Sequence, residues 1–148
     1  MKHYEEQQHF PLVIRILIYI SLIFPIIGIY FAYRDPKSPF WLIPFLIVLE
    51  IFLIFIFLNF NKLVIRVHDV FLEFGFGIFK KKFRLMDIIS CEPVELKFSN
   101  YLGIGIRFGL DGTIAYNTRF GKGIKIRVKN KKRGYVLTTD NPYRVWSV

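Results

Sequence analysis

ILIYISLIFPIIGIYFAY at residues 16–33 and FWLIPFLIVLEIFLIFIFLNF at residues 40–60 decide how this chain is put together. The first stretch has 18 residues without a charge, the second has 21 with one, Glu50, and little more than RDPKS at 34–38 separates them. At about 1.5 Å of rise per residue, each is long enough to cross about 30 Å of hydrocarbon as a helix. Backbone amides in lipid must be satisfied within their own segment, and so short a link holds no domain. The chain therefore reads as a polar N-terminal lead at 1–10, a transmembrane helical hairpin at 11–60 with spans at about 12–33 and 39–60, and a separate domain at 61–148.

The charge is divided as sharply as the hydropathy. Before residue 61 four cations meet four carboxylates, so the net charge of +10 belongs to 61–148, where 17 Lys and Arg face seven Asp and Glu. A basic excess directly after a membrane span marks a cytoplasmic flank, because Lys and Arg resist translocation and are drawn to the anionic inner leaflet. The expectation is a multi-pass protein of the cell (inner) membrane with both termini in the cytoplasm. A cleaved signal peptide is disfavoured, since acidic Glu5 and Glu6 precede the first run and no small-x-small cleavage site follows it. A single cysteine, Cys91, excludes an intrachain disulfide and a cysteine-based zinc site.

Within the hairpin, Pro11 suits the first helical position, and Arg15 one turn later can snorkel to the inner phosphates. Pro25, Gly28 and Pro44 call for kinks or close helix contact. Tyr30, Tyr33, Phe40 and Trp41 form an aromatic belt at the far end of both spans. Glu50 falls near the middle of the second span, where an ionised carboxylate is costly. Folding the hairpin about Pro36 sets it level with Ser21, and Arg15 roughly 10 Å nearer the cytoplasm. It is either a carboxyl hydrogen-bonded to Ser21 or to a second copy, or a proton or ion site.

After residue 62 the period of the pattern changes from helical to two. LVIRVH at 63–68, FLEFGFG at 71–77 and FKKKFRL at 79–85 read as a meander, with Phe79, Phe83 and Leu85 on one face and Lys80, Lys82 and Arg84 on the other. Residues 88–96 contain Pro93 and read as an edge or bulged strand, followed by a loop at Ser99 and Asn100. Asp111-Gly112 signals a type I′ hairpin between 103–110 and 113–118. IKIRVK at 124–129 alternates core and cation, NKKRG at 130–134 turns, and 135–139 is another strand. Asn141-Pro142 starts a short C-terminal helical turn. The fold class is a membrane-anchored α+β chain whose second part is a small antiparallel β roll or sandwich.

YLGIGIR at 101–107, AYN at 115–117, GIKI at 123–126 and TDNP at 139–142, in that order behind two apolar helices, resemble bacterial pleckstrin-homology-like (PH-like) membrane proteins with an N-terminal two-helix hairpin. The resemblance implies two packed sheets closed by a C-terminal helix, and membrane-associated binding or scaffolding. The first turn of the domain, His68, Asp69 and Val70, lacks the basic residues with which phosphoinositide-binding relatives hold lipid phosphates. Phosphoinositide binding is therefore not carried over.

No catalytic set can be assembled from spacing. His3, His9 and His68 are the only histidines, no Ser or Cys sits in a nucleophile turn, and the glycines at 103, 105, 109, 112, 121 and 123 precede no helix that could cradle phosphate. No enzyme activity, cofactor or metal is expected. The functional feature is basic: Lys80, Lys82 and Arg84 in one place, and Lys125, Arg127, Lys129, Lys131, Lys132 and Arg133 in another. A domain held against an anionic leaflet gains about 1 kcal/mol per cation near the surface. The expected role is a scaffold or partner-binding module, contacting the lipid bilayer, anionic head groups, other membrane proteins or a second copy of itself. Nucleic acid is not expected, since burial accounts for the aromatic residues. The alternative function is a small transport or channel subunit oligomerised through the hairpin around Glu50, with Ser21 and Arg15 as its other intramembrane polar groups.

Overall fold

The structure, a computed structural model, describes residues 4–146, with nothing said of the Trp146 side chain; Met1, Lys2 and His3 of the polar lead lie outside the described residues. The chain forms two compact units, one of Pro11–Asn59 and one made of the residues up to Phe10 together with those from Phe60 onward.

The first unit is a pair of helices, α1 (Leu12–Arg34) and α2 (Leu42–Asn59). Their 23 and 18 residues correspond to about 35 and 27 Å of helix. Both are long and apolar enough to cross a membrane. Pro11 stands at the N-cap, one residue ahead of its expected place, and Arg15 N donates to Pro11 O at 3.1 Å. Asp35 ends α1: its N–H donates to Phe31 O, and its carboxylate accepts from Lys37 N at 3.0 Å, which turns the link. Buried or half-buried positions recur at heptad spacing, Ile14, Ile18, Ser21, Pro25, Gly28 and Ala32 on α1 and Leu42, Leu46, Leu49, Leu53 and Ile56 on α2. This is the narrow seam of an antiparallel pair. Gly28 makes the approach possible, because a Cβ there would lie 3.1 Å from Leu46 Cδ1. Pro44 needs no kink, since it sits in the first turn of α2, where its missing N–H has no helical acceptor to lose. The other faces of both helices are exposed and apolar.

Among the described residues the second unit holds nine strands in two sheets. The four-stranded sheet runs in order β1 (Tyr4–His9), β2 (Lys62–Val67), β3 (Phe71–Phe76), β4 (Phe79–Arg84), all antiparallel. The second sheet is ordered β5 (Ile88–Leu96), β8 (Gly121–Val128), β9 (Tyr135–Thr138), β7 (Ile114–Asn117), β6 (Gly105–Phe108). A one-turn helix α3 (Phe98–Tyr101) follows β5, and α4 (Pro142–Trp146) closes the described chain. The core lies between the sheets. Leu63, Ile65, Phe74 and Phe76 are fully buried, as are Ile124, Ile126 and Leu137. Phe74 holds Tyr116 edge-on at 5.2 Å and Tyr135 at 5.8 Å. β9 is buried on both faces, for Leu96, Tyr101, Ala115 and Val136 form a smaller cluster of their own.

Four expectations are corrected. The polar lead is an edge strand of the β domain: β1 pairs with β2 from Tyr4↔Val67 to His9↔Lys62. Its inward side is polar, so hydropathy did not reveal it. Gln8 Nε2 donates to Thr138 O at 2.8 Å and Thr118 Oγ1 donates to Gln8 Oε1 at 2.9 Å. Glu6 accepts from Thr139 Oγ1 at 2.6 Å and from Asp140 N at 2.8 Å. Second, the sheets are not wholly antiparallel, because β9 inserts between β8 and β7 and runs parallel to β7; alternation specifies a strand's faces and not its neighbours. Third, Asp111-Gly112 is no type I′ turn. That turn needs positive φ at both residues, and here only Gly112 has it (φ 80). Asp111 instead accepts from Thr113 N at 3.1 Å and Thr113 Oγ1 at 2.6 Å within the wider connection 109–113. Fourth, Ser99 and Asn100 lie in α3 and not in a loop, ended by Leu102 at φ 52. β5 is the expected edge strand, with a register shift between Ile88 and Ser90.

Candidate functional site

Alternation along β8 puts Ile124, Ile126 and Val128 in the core, so Lys125 and Arg127 must face outward. The β8–β9 connection then folds back: Lys131 N donates to Val128 O at 3.2 Å, and Asn130 takes φ 62, a left-handed conformation Asn tolerates. That turn carries Lys131, Lys132 and Arg133 over the ends of the strands. Asp111, Gly112 and Thr113 of the β6–β7 connection face them, and a cavity of about 350 Å³ opens between. Five cations line it: Lys125, Arg127, Lys131, Lys132 and Arg133. Among the described residues none of the five has an ion-pair partner within 4.0 Å.

Asp111 is the one carboxylate in the wall. Its partial burial by itself would raise the carboxyl, but hydrogen bonds from Thr113 and Asn100 and the charge of Lys125 outweigh that and hold it below the ordinary carboxylate value. Thr113 Oγ1 is in turn 2.9 Å from Tyr101 OH, so the wall is tied to the small core cluster. Among the described residues the cavity thus presents five cations and one negative group that is already hydrogen-bonded. That is a site for an anion with multiple acceptor oxygens.

The other predicted residues do not join it. Lys129 lies outside the cavity, its N–H donating to Asp87 O at 2.8 Å. On β4, Lys80 pairs with Glu73 at 3.6 Å and Lys82 Nζ sits 3.5 Å from the centre of the Phe71 ring. Arg84 lies at the far end of the strand, opposite Phe71. This group is a row along an exposed strand, with two members already engaged. In the hairpin, Ser21 Oγ donates to Ile18 O at 2.7 Å, within its own helix. Glu50 Oε2 is enclosed without a hydrogen-bond partner among the described residues, and Arg15 is half-buried. Sequence reasoning missed Asp111 and Thr113 as part of the site, since Asp111-Gly112 signals a turn and Thr113 the start of a strand.

Chemistry of other kinds has little to work with. Among the described residues no three His, Cys, Asp or Glu side chains come together to hold a metal ion. Cys91 is half-buried, and burial followed by the charge of Glu92 pushes its thiol up, which disfavours the reactive thiolate.

The end of the four-stranded sheet where the chain leaves for α1 and returns from α2 is built of aromatic rings. Phe10 stacks on Phe76 at 5.6 Å with planes 3° apart, and Phe60 lies 5.4 Å from Phe76 and 5.5 Å from Phe79. Phe108 connects this end to the basic cavity, since it lines a groove with Ile78 and Phe79 while its ring sits 5.2 Å under the Arg133 guanidinium. No family model, curated protein or solved structure matches the chain.

Proposed function

We propose that this chain is an integral membrane protein whose α1–α2 pair anchors a PH-like binding and scaffolding module, and that the module's basic cavity takes an anionic group at the membrane surface. The observation that carries this reading is the convergence of Lys125, Arg127, Lys131, Lys132 and Arg133 on one cavity, with no ion pair to any of them among the described residues. Pairing of β1 with β2 across the helices supports the anchor, because a chain that leaves and re-enters one sheet at His9 and Lys62 crosses a membrane an even number of times. The +10 charge favours the cytoplasmic side for the module. Two packed sheets and a short terminal helix fit a PH-like roll; the parallel β7–β9 pair and the strand contributed from before the helices are departures from the expected pattern. Lipid phosphate is the source of anion that tethering brings to high local concentration.

The test uses the full chain in neutral detergent, titrated calorimetrically with inorganic pyrophosphate at low and high salt. Binding should weaken with salt, and Lys125→Ala/Arg127→Ala/Arg133→Ala should lose roughly 100-fold, three cations at about 1 kcal/mol each. Lys80→Ala/Lys82→Ala/Arg84→Ala should bind as the parent does. Equal binding by both variants overturns the proposal. Displacement of pyrophosphate by an acidic peptide but not by anionic lipid would redirect it to a protein partner.

A second reading, a transport or channel subunit assembled around Glu50, is favoured by one observation, the enclosed Glu50 Oε2 that has no hydrogen-bond partner among the described residues. It requires Glu50→Gln to abolish a proton- or ion-dependent flux in vesicles with assembly intact. An anchor alone would show no such flux in either form.

A further inference from the structure

The β3–β4 hairpin has the wrong chemistry for a wet turn. Two-residue hairpin turns are dominated by Gly, Asn and Asp, which satisfy the backbone and face water. Gly77, at φ 46, meets the backbone requirement. The second turn position is Ile78, 70% exposed, and the next residue, Phe79, is 40% exposed. Phe108, 66% exposed, joins them around an apolar groove of about 410 Å³. Singly exposed apolar residues need no explanation, but a contiguous group at a hairpin tip does.

Its place in the fold says what meets it. Phe60, the first residue after α2, packs on Phe79, and Phe10, two residues before α1, packs on the neighbouring Phe76. Register agrees: His9↔Lys62, Leu63↔Phe76 and Phe76↔Phe79 are successive pairs at the same end of the sheet. The tip therefore emerges where the chain passes into both apolar helices. Behind it come Lys80, Lys81 and, at the start of β2, Lys62. An apolar tip, then a ring, then cations is the order of a segment that dips into the head-group layer and rests its charges on lipid phosphates.

We propose that the β3–β4 turn is a third membrane contact, with Ile78 and Phe79 entering the boundary between head groups and acyl chains of the leaflet that receives α1 and α2, and Lys62 and Lys81 on its phosphates. This rests on the anchor reading above. It would make the domain dock on the bilayer by its own surface, in addition to being tethered there.

The experiment uses the full chain with Cys91→Ser, carrying either Ile78→Cys or Met86→Cys, labelled with a polarity-sensitive dye and reconstituted in vesicles containing phosphatidylglycerol and a lipid-borne quencher. Met86 is 80% exposed and lies beyond the opposite end of β4. The dye at Ile78→Cys should shift to the blue and be quenched several times more strongly than the dye at Met86→Cys, with the order reversed for an aqueous quencher. Vesicle flotation is read on the same samples and on the chain reconstituted with neutral phosphatidylcholine vesicles. If the chain floats and both dyes are equally aqueous, the wedge is overturned and the anchor stands; if the chain fails to float with neutral vesicles, the anchor reading falls and the wedge falls with it.

Discussion

Gln8→Ala should destabilise the β domain although residue 8 lies more than fifty positions before most of it. Gln8 is 6% exposed, and its amide bonds both to the Thr138 carbonyl of β9 and to the hydroxyl of Thr118, the residue after β7. Truncation removes both bonds and leaves the Thr118 hydroxyl and the Thr138 carbonyl buried without that partner. Each such group costs about 1–3 kcal/mol, and water entering the space vacated by the amide recovers part of it, so the expected loss is about 2–4 kcal/mol. For a domain of this size that is a drop in melting temperature of roughly 10–20 °C. The assay is hydrogen exchange on the full chain in micelles, following the amides of β2 and β9, with thermal melts of the same samples. Gln7→Ala is the control, because Gln7 is the exposed neighbour on the other face of the strand. If Gln8→Ala and Gln7→Ala melt together and β2 exchanges no faster in either, the N-terminal strand does not belong to the domain and the register drawn from it is wrong. The same reasoning predicts that a fragment starting at residue 61 is less stable than the full chain, since it lacks an entire edge strand.

Two further outcomes follow from local geometry. The folded Asp111 carboxyl is held below its unfolded value, so the stability it contributes is fully present above the unfolded value of about 4 and is lost as pH falls through the folded one. Asp111→Asn should flatten that acid limb in pH-dependent melts and, by removing the only negative group in the cavity wall, should tighten pyrophosphate binding; weaker binding would show that Asp111 positions the cations. In the hairpin, Gly28→Ile drives a branched side chain against Leu46 and should cost the α1–α2 pair about 1–3 kcal/mol, read as a lower denaturing-detergent midpoint. An unchanged midpoint would mean that the seam does not pass through Gly28.

Much of the site was visible as composition but not as a place. Six of the nine basic residues stand in strand alternations and three in the 130–134 turn, yet only five of the nine face one cavity. Which five depends on Asn130 adopting a left-handed turn and on the β6–β7 connection arriving opposite. Lys80 and Lys82 look identical to Lys125 in a pattern of alternation. They differ because Glu73 and Phe71 on the neighbouring strand engage them.

By itself the amino-acid sequence determined the two helices, since runs of 18 and 21 residues with at most one charge are long apolar segments whose amides a helix satisfies within itself, and it determined the core face of strands such as β8, since burial selects every second side chain. Tertiary structure alone decided the rest. β1 could be placed only when Thr118, Thr138, Thr139 and Asp140 were brought to Glu6 and Gln8, because a buried face made of hydrogen bonds carries no hydropathy signal. The parallel pairing of β7 with β9 is equally silent in the sequence, for a strand's alternation records what lies above and below it and nothing of the strand at its side.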